Sequence, residues 1–331
     1  MSNMKNTSLL YFGKIASRGD FVRSQNHPQL MASLDSWLSQ SMDLMAGDSH
    51  WKPVYDGAPA VDFVMLGMNR PIAVAGHLTP SVDTSGRRFP FLTACTLELQ
   101  EPEKFFTMSA LQLESVWERL NEASHKARRA DQESVAEVLH ALAQTELSYV
   151  VESQERRDRY NDFLEMTTVA GLERMIQSAH PDIRLRQTLL AVGLLFQPLI
   201  ASGVDRVDKG VRLPLPANRQ QHMYVASFWF SLISSFIKKA SFEVTVLLPK
   251  GEGRAPAELL MSFNGGASSV LHAALDSRAR GDVFVDMASA AWIEEHIQAD
   301  YGLKKLSSYL QMPQLTLKQA RDTFEETFLG S

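Results

Sequence analysis

Three short runs rich in branched and aromatic residues, Val61–Leu66, Ile72–Ala75 and Phe91–Leu97, set the tightest limit on the fold. Only Gly67-Met68-Asn69-Arg70-Pro71, a stretch of turn-forming residues, separates the first two. That spacing predicts an antiparallel meander. Ahead of it, Leu9–Phe12 is an apolar run ended by Gly13, which reads as a buried strand. Leu30, Leu34, Trp37, Leu38 and Met42 then recur at helical intervals, and Pro28 sits where a first helical turn tolerates a missing amide hydrogen.

The middle of the chain reads as helical. Pro102 opens a segment with Phe105, Phe106, Leu111, Leu113, Val116, Trp117 and Leu120 at mostly three- and four-residue spacings. A second amphipathic stretch follows Asp131, with Val135, Val138, Leu139 and Leu142 on one face, and residues 155–180 and 183–201 continue the pattern. The charged runs Lys126-Ala127-Arg128-Arg129 and Glu155–Arg159 read as solvated helix faces. Beyond residue 206 the pattern alternates. Val211–Leu215 is extended, Tyr224–Ile237 helical, and Phe242–Leu248 and Leu259–Phe263 are strands around the turn Lys250-Gly251-Glu252-Gly253. Leu271–Leu275 is a helix, Val283–Val285 a strand, and three short helices follow. Strand, helix and strand in series predict a layered α/β core. The expected division is an α/β region over 1–100, a helical region over 101–205, and a second α/β region over 206–331 that completes the same sheet or forms a second half.

Composition closes several alternatives. With 33 Lys+Arg against 38 Asp+Glu, the 331-residue chain carries a formal charge of −5, against the basic excess of a general nucleic-acid binder. At 45% apolar residues the chain has enough to bury a core, so disorder is excluded for most of it. Cys95 is the only cysteine, so no intramolecular disulfide can form, which suits a reducing compartment. The N-terminus lacks the apolar core of a secretory signal. The longest apolar runs, Leu189–Ala201 and Met223–Ile237, are broken by Gln197 and Pro198 or by four serines. Both fall short of the ~18 residues of a spanning helix. A soluble cytoplasmic protein, with no direct membrane insertion, is expected.

Catalytic templates are absent: the chain has no P-loop, dinucleotide fingerprint, zincin motif or nucleophile elbow. Phe263-Asn264-Gly265-Gly266-Ala267-Ser268-Ser269 could approach a phosphate, but no lysine follows. The simpler expectation is a tight turn with Ser268 or Ser269 capping a helix. Two polar clusters stand among the strands. One runs from Gly13 and Lys14 through Arg18, Gly19 and Asp20 to Phe21; the other holds Pro80, Ser81, Asp83, Gly86, Arg87, Arg88 and Pro90. Glycine, aspartate and arginine in sharply turning connections point to carboxylates that accept loop amides and arginines that bridge to them. The same loops could also present a recognition surface.

These clusters carry a family resemblance. Tyr11-Phe12-Gly13-Lys14 through Arg18-Gly19-Asp20-Phe21-Val22 resembles the opening motif of the type VI secretion-associated TagF (ImpM) family. Pro80-Ser81-Val82-Asp83, with Gly86-Arg87 and Phe89-Pro90, resembles its second motif, and Asp35-Ser36-Trp37-Leu38 its early tryptophan-bearing helix. The strong resemblance covers residues 9–98. A looser one spans 211–295, where Phe228-Trp229, Phe263-Asn264-Gly265 and Trp292-Ile293-Glu294-Glu295 are similar to elements of longer members. Ala16 stands where the family often has proline, the helical stretch over 103–200 is long for the family, and no serine/threonine phosphatase domain of the kind fused to some relatives is seen.

The resemblance implies a layered α/β/α sandwich around a mixed sheet. It also implies a cytoplasmic accessory protein of type VI secretion, a post-translational negative regulator acting by binding rather than catalysis and without a cofactor. Its implied partner is the FHA-domain scaffold of the apparatus, or another cytoplasmic or membrane-complex component, and not nucleic acid. Gly13, Arg18, Gly19, Asp20, Phe21, Pro80, Ser81, Asp83, Gly86, Arg87, Arg88 and Pro90 are then candidate partner contacts or internal braces, and the helical middle is a second candidate surface. Two other readings stand beside this one. In one, Asp20 and Asp83 converge on a divalent metal while Arg18 or Arg87 stabilises a transferred phosphoryl group, in a metal-dependent phosphoryl-transfer or hydrolytic enzyme. In the other, the chain is a structural subunit of the secretion apparatus.

Overall fold

The computed structural model describes residues 4–202, 207–238, 242–251 and 256–330. The chain opens with strands β1 (Met4–Ser8), β2 (Leu10–Gly13) and β3 (Val22–Arg23). Helix α1 (Pro28–Ala46) has Pro28 in its first turn and buries Leu34, Trp37, Leu38 and Met42, the stripe read from the sequence. After α2 (Trp51–Asp56) comes the meander, β4 (Ala60–Gly67), β5 (Ile72–Thr79) and β6 (Phe91–Glu98), antiparallel at both steps. Then follow α3 (Pro102–Arg129), α4 (Val135–Ala143), β7 (Glu146–Val150), α5 (Gln154–Met166), α6 (Val169–Gln177), α7 (Leu185–Phe196) and α8 (Pro198–Ser202). The last third holds β8 (Gly210–Pro214), α9 (His222–Ile237), β9 (Glu243–Lys250), β10 (Glu258–Ser262), α10 (Ser268–Leu275), α11 (Arg280–Val283) and β11 (Phe284–Asp286). Helices α12 (Ile293–Ala299), α13 (Tyr301–Leu310) and α14 (Leu317–Leu329) complete it.

Among the described residues, nine strands form one mixed sheet in the order β11-β8-β10-β9-β4-β5-β6-β2-β3. Every step is antiparallel except β8–β11. Strand β4 pairs with β9 along its full length, from Ala60↔Lys250 to Gly67↔Glu243, so strands from the two ends of the chain share one sheet.

Both faces of the sheet are buried. Val61 and Phe63 of β4 belong to a core with Trp37 and Leu38 of α1 and Leu271 of α10. Val64 and Leu66 alternate to the opposite core, beneath α3 and α9. Phe106 of α3 and Phe230 of α9 stack there at 4.9 Å. A further helical layer lies behind: the Tyr160 hydroxyl on α5 donates to the Ser227 carbonyl at 3.1 Å, and Phe324 of α14 sets its edge against Phe236 at 5.8 Å. The result is the α/β/α sandwich, thickened on one face.

Phe63 fixes the centre. Its ring lies over Gly76, the residue opposite on β5, where a Cβ atom would come within 2.1 Å of the ring. Trp37 packs edge-on at 5.3 Å, and from the other face the Trp117 indole donates to the Phe63 carbonyl at 2.9 Å.

Several expectations are corrected. The middle region is not wholly helical: β7 lies within it and pairs antiparallel with β1, from Met4↔Val150 to Ser8↔Glu146. Glu146–Val150 alternates correctly, with Leu147 and Tyr149 buried, but five residues between strong helical patterns are too short to stand out. Strand β1 is mostly polar and is extended by pairing, not by its own apolar pattern. Within the basic run of α3, Arg128 turns inward, and burial, with Arg129 beside it, lowers the proton affinity of its guanidinium. No serine side chain caps α10: its N-cap is Ala267. The turn before α10 is made by Gly265 at φ +66°, and α1 holds the helix start, with Trp37 Nε1 donating to the Ala267 carbonyl and Ser41 Oγ to that of Ser268. Glu252 and Gly253 of the expected turn lie outside the described residues.

Two measurements test this core. Phe63→Ala should cost about 3–5 kcal/mol in urea unfolding, and Gly76→Ala about 1–3 kcal/mol by crowding the same ring. Cys95, on β6 with 0% exposure, has its thiol pushed up to about 12 by burial. A disulfide-exchange reagent should therefore leave the native protein unlabelled and titrate the single thiol after unfolding.

Candidate functional site

The two polar clusters become neighbouring loops because β2, which feeds the first, pairs with β6, which receives the second. Gly13 and Phe91 are direct partners, and Gly13 has φ +132°. A Cβ there would lie 2.0 Å from the Pro90 carbonyl oxygen, so only glycine lets the strands meet at this point.

Asp83 ties the loops together. It is 2% exposed, yet both of its oxygens are fully engaged. Oδ1 accepts from the backbone amides of Ser85 and Arg87, each at 2.9 Å. Oδ2 accepts from Lys14 Nζ at 2.9 Å and Arg87 Nε at 2.7 Å. The Arg87 guanidinium reaches on to the Gly19 carbonyl at 2.5 Å, and the Thr84 amide donates to the Arg18 carbonyl at 3.1 Å. Burial alone would raise the Asp83 pKa. The donations from Lys14, the Arg87 backbone and side chain, and Ser85 outweigh it and hold the carboxyl well below the ordinary carboxylate range. Gly86, at φ +74°, closes the turn, its amide donating to the Asp83 carbonyl at 2.9 Å.

The remaining candidates divide between support and surface. Arg88 forks onto Asp56 of α2, with Nε and Nη2 at 2.7 and 2.6 Å from its two oxygens. The Ser81 backbone exchanges hydrogen bonds with the Tyr55 hydroxyl at 2.9 and 3.1 Å. Pro90 is buried and Pro80 half-buried. Phe21 is 47% exposed, stacked on Phe12 at 5.6 Å and set edge-on to Phe89 at 4.8 Å, with Lys14 Nζ 5.0 Å from its ring centre. Arg18 and Asp20 are exposed. Lys14, Tyr55 and Asp56 were missed as site residues. Lys14 lay inside the first cluster, whereas nothing in the sequence pattern marks Asp56.

This geometry weighs against the metal reading, because Asp83 has no oxygen to offer. Among the described residues no group of three or more His, Cys, Asp or Glu side chains is placed to hold a metal ion. A separate polar chain was not anticipated. Lys250 pairs with Asp62 at 2.8 Å, Asp62 with buried His77 at 2.7 Å, and His77 with Thr79 at 3.0 Å. It borders a cavity of about 490 Å³ that Asp62 and Lys250 line with Trp117 and Glu114.

The depressed Asp83 pKa fixes the sign of a pH effect. Its ionised form contributes stability that is fully present above the ~3.9 of an unfolded aspartate and is lost as pH falls below it. Asp83→Asn should therefore melt below the wild type at pH 7, with the gap narrowing on acidification below about pH 4. Melts followed by circular dichroism across that range check this, and a gap independent of pH would contradict the ionic tie.

Residues 11–145 match a family model described as the TagF N-terminal domain, type VI secretion system-associated, and both loops lie inside the match. No curated protein matches the chain. A crystal structure of PA0076 from Pseudomonas aeruginosa PAO1 is similar at 16% sequence identity with a TM-score of 0.46, covering 82% of this chain and 94% of that one.

Proposed function

We propose, from the match of residues 11–145 to the type VI secretion system-associated TagF N-terminal domain, a post-translational negative regulator that works by binding a component of the apparatus. The FHA-domain scaffold is the partner proposed, in the cytoplasm, and binding replaces catalysis. The observation that carries this reading is the union of the two motif loops through Asp83 into one preformed surface, with Phe21, Arg18 and part of Arg87 open to solvent. A surface already held in place loses little conformational freedom on binding, so a few anchors suffice for a stable complex. Gly13, Gly19, Pro80, Ser81, Asp83, Gly86, Arg88 and Pro90 are assigned to holding the surface, and Arg18, Asp20, Phe21 and Arg87 to contact. No helix among the described residues is long and apolar enough to cross a membrane.

Titration calorimetry of the purified chain against the scaffold from the same secretion locus should give saturable binding at micromolar or tighter affinity. Deleting the gene should raise type VI secretion. A structural subunit predicts the opposite sign, loss of secretion on deletion.

A further inference from the structure

Charge and aromatic exposure coincide at one edge of the sheet. The segments 13–23 and 80–90, together with Asp56 that pairs with Arg88, hold Lys14, Arg18, Arg23, Arg87 and Arg88 against Asp20, Asp56 and Asp83, a local excess of two positive charges in a chain of net −5. The excess is directed outward. Asp83 is buried and spends its charge on Lys14 and Arg87, and Arg88 is spent on Asp56. Arg18 and Arg23 are exposed, and the Arg87 side chain remains 60% accessible while bonded to Asp83; against these three cations the exposed face of the two segments carries one carboxylate, Asp20. In the β2–β3 ladder Phe12 faces Arg23, so Arg23 and Phe21, two residues apart, share the face on which Phe12 stacks with Phe21. Between Arg18 and Arg23 in the chain lies a half-exposed phenyl ring packed on Phe12 and Phe89, with Lys14 against it.

We propose that Phe21, with the exposed Arg18, Arg23 and Arg87 carried by the same two joined loops and their edge strand, is the docking point for an acidic segment of a partner protein. An apolar group of that segment would cover the Phe21 ring, and its Asp or Glu carboxylates would reach the three guanidiniums. A fixed aromatic with arginines beside it has the composition and rigidity of an interface anchor. The opposed charges draw in an acidic segment and turn away a basic one. The docking point deepens the binding reading given above and depends on that reading only for the identity of the partner.

Fluorescence anisotropy with the full chain and a labelled Asp/Glu-rich peptide containing one leucine tests the surface without assuming the partner. Binding is expected, weakening steeply as salt is raised. Arg18→Glu/Arg23→Glu should weaken it at least about tenfold with an unchanged melting temperature, and Phe21→Ala by a similar factor, measured well below the melting temperature of that variant, which loses the packing on Phe12 and Phe89. Lys305→Glu, a reversal at an exposed position on α13, should leave it unchanged. Undetectable binding of the acidic peptide, equal losses in the Lys305 variant, or equally tight binding of a single-stranded oligonucleotide of matched charge would overturn the assignment. The same variants titrated against the FHA scaffold separate the two claims. If the wild type binds peptide but not scaffold, the named partner fails and the surface stands. If it binds scaffold and the Phe21 and arginine variants bind equally well, the surface fails and the partner stands.

Discussion

The fold depends on a strand that belongs to both ends of the chain. Strand β4 is paired along its length on one side by β5, its neighbour in sequence, and on the other by β9, which arrives about 180 residues later. A central strand leaves no backbone group to water, so β9 is needed to satisfy the donors and acceptors of that edge. The same condition reaches the faces. Phe63 sets its ring under α1 and offers its carbonyl to Trp117 of α3, so sheet and both helical layers are fixed at one residue. The stacking of Phe106 on Phe230 then carries the seam between the chain's two ends into the helices.

Against that interior, the two loops at the far edge are held by polar contacts. A buried carboxylate is costly unless its lone pairs are taken up, and Asp83 meets the condition with two amides, an ammonium and a guanidinium. The consequence is asymmetric. The negative charge is consumed inside, where Lys14 is also buried, while Arg87 keeps part of its positive charge at the surface. The brace that the sequence pointed to and the exposed surface that we propose as a contact, readings that never excluded each other, are thereby two sides of one arrangement.

Much of this was legible before any coordinates. The meander, the stripe of α1, the long helix opened by Pro102 and the strand–helix alternation beyond residue 206 follow from period and punctuation alone. The two motif clusters were visible for the same reason, since glycine, aspartate and arginine packed into tight connections imply hydrogen-bonded loops. What escaped had no local signature. Strand β1 is polar and extended only because β7 lies beside it, and Asp56 becomes a partner of Arg88 only through the position of α2. The start of α10 is held by Trp37 and Ser41, more than two hundred residues away, which donate to its backbone carbonyls, whereas the local capping rule looked for a serine acceptor beside it. The burial of Asp62 and His77 was equally hidden, because a lone polar residue in an alternating strand reads as facing solvent.

The β1–β7 ribbon has a consequence for how such a chain can be assembled. Just past Ser8, the Leu9 amide donates to the Thr145 carbonyl at 3.0 Å, so residues 9–145 leave and return at a single point. This closed circuit nearly coincides with the stretch that matches the TagF N-terminal domain, residues 11–145. A module whose entrance and exit touch can be spliced onto different continuations without a spacer, as an electrical component with adjacent terminals can be wired into many circuits. Its freedom is not complete. Whatever follows residue 145 must still provide a strand to lie along β4 and an apolar helix to lie over α3, and here β9 and α9 fill those two vacancies.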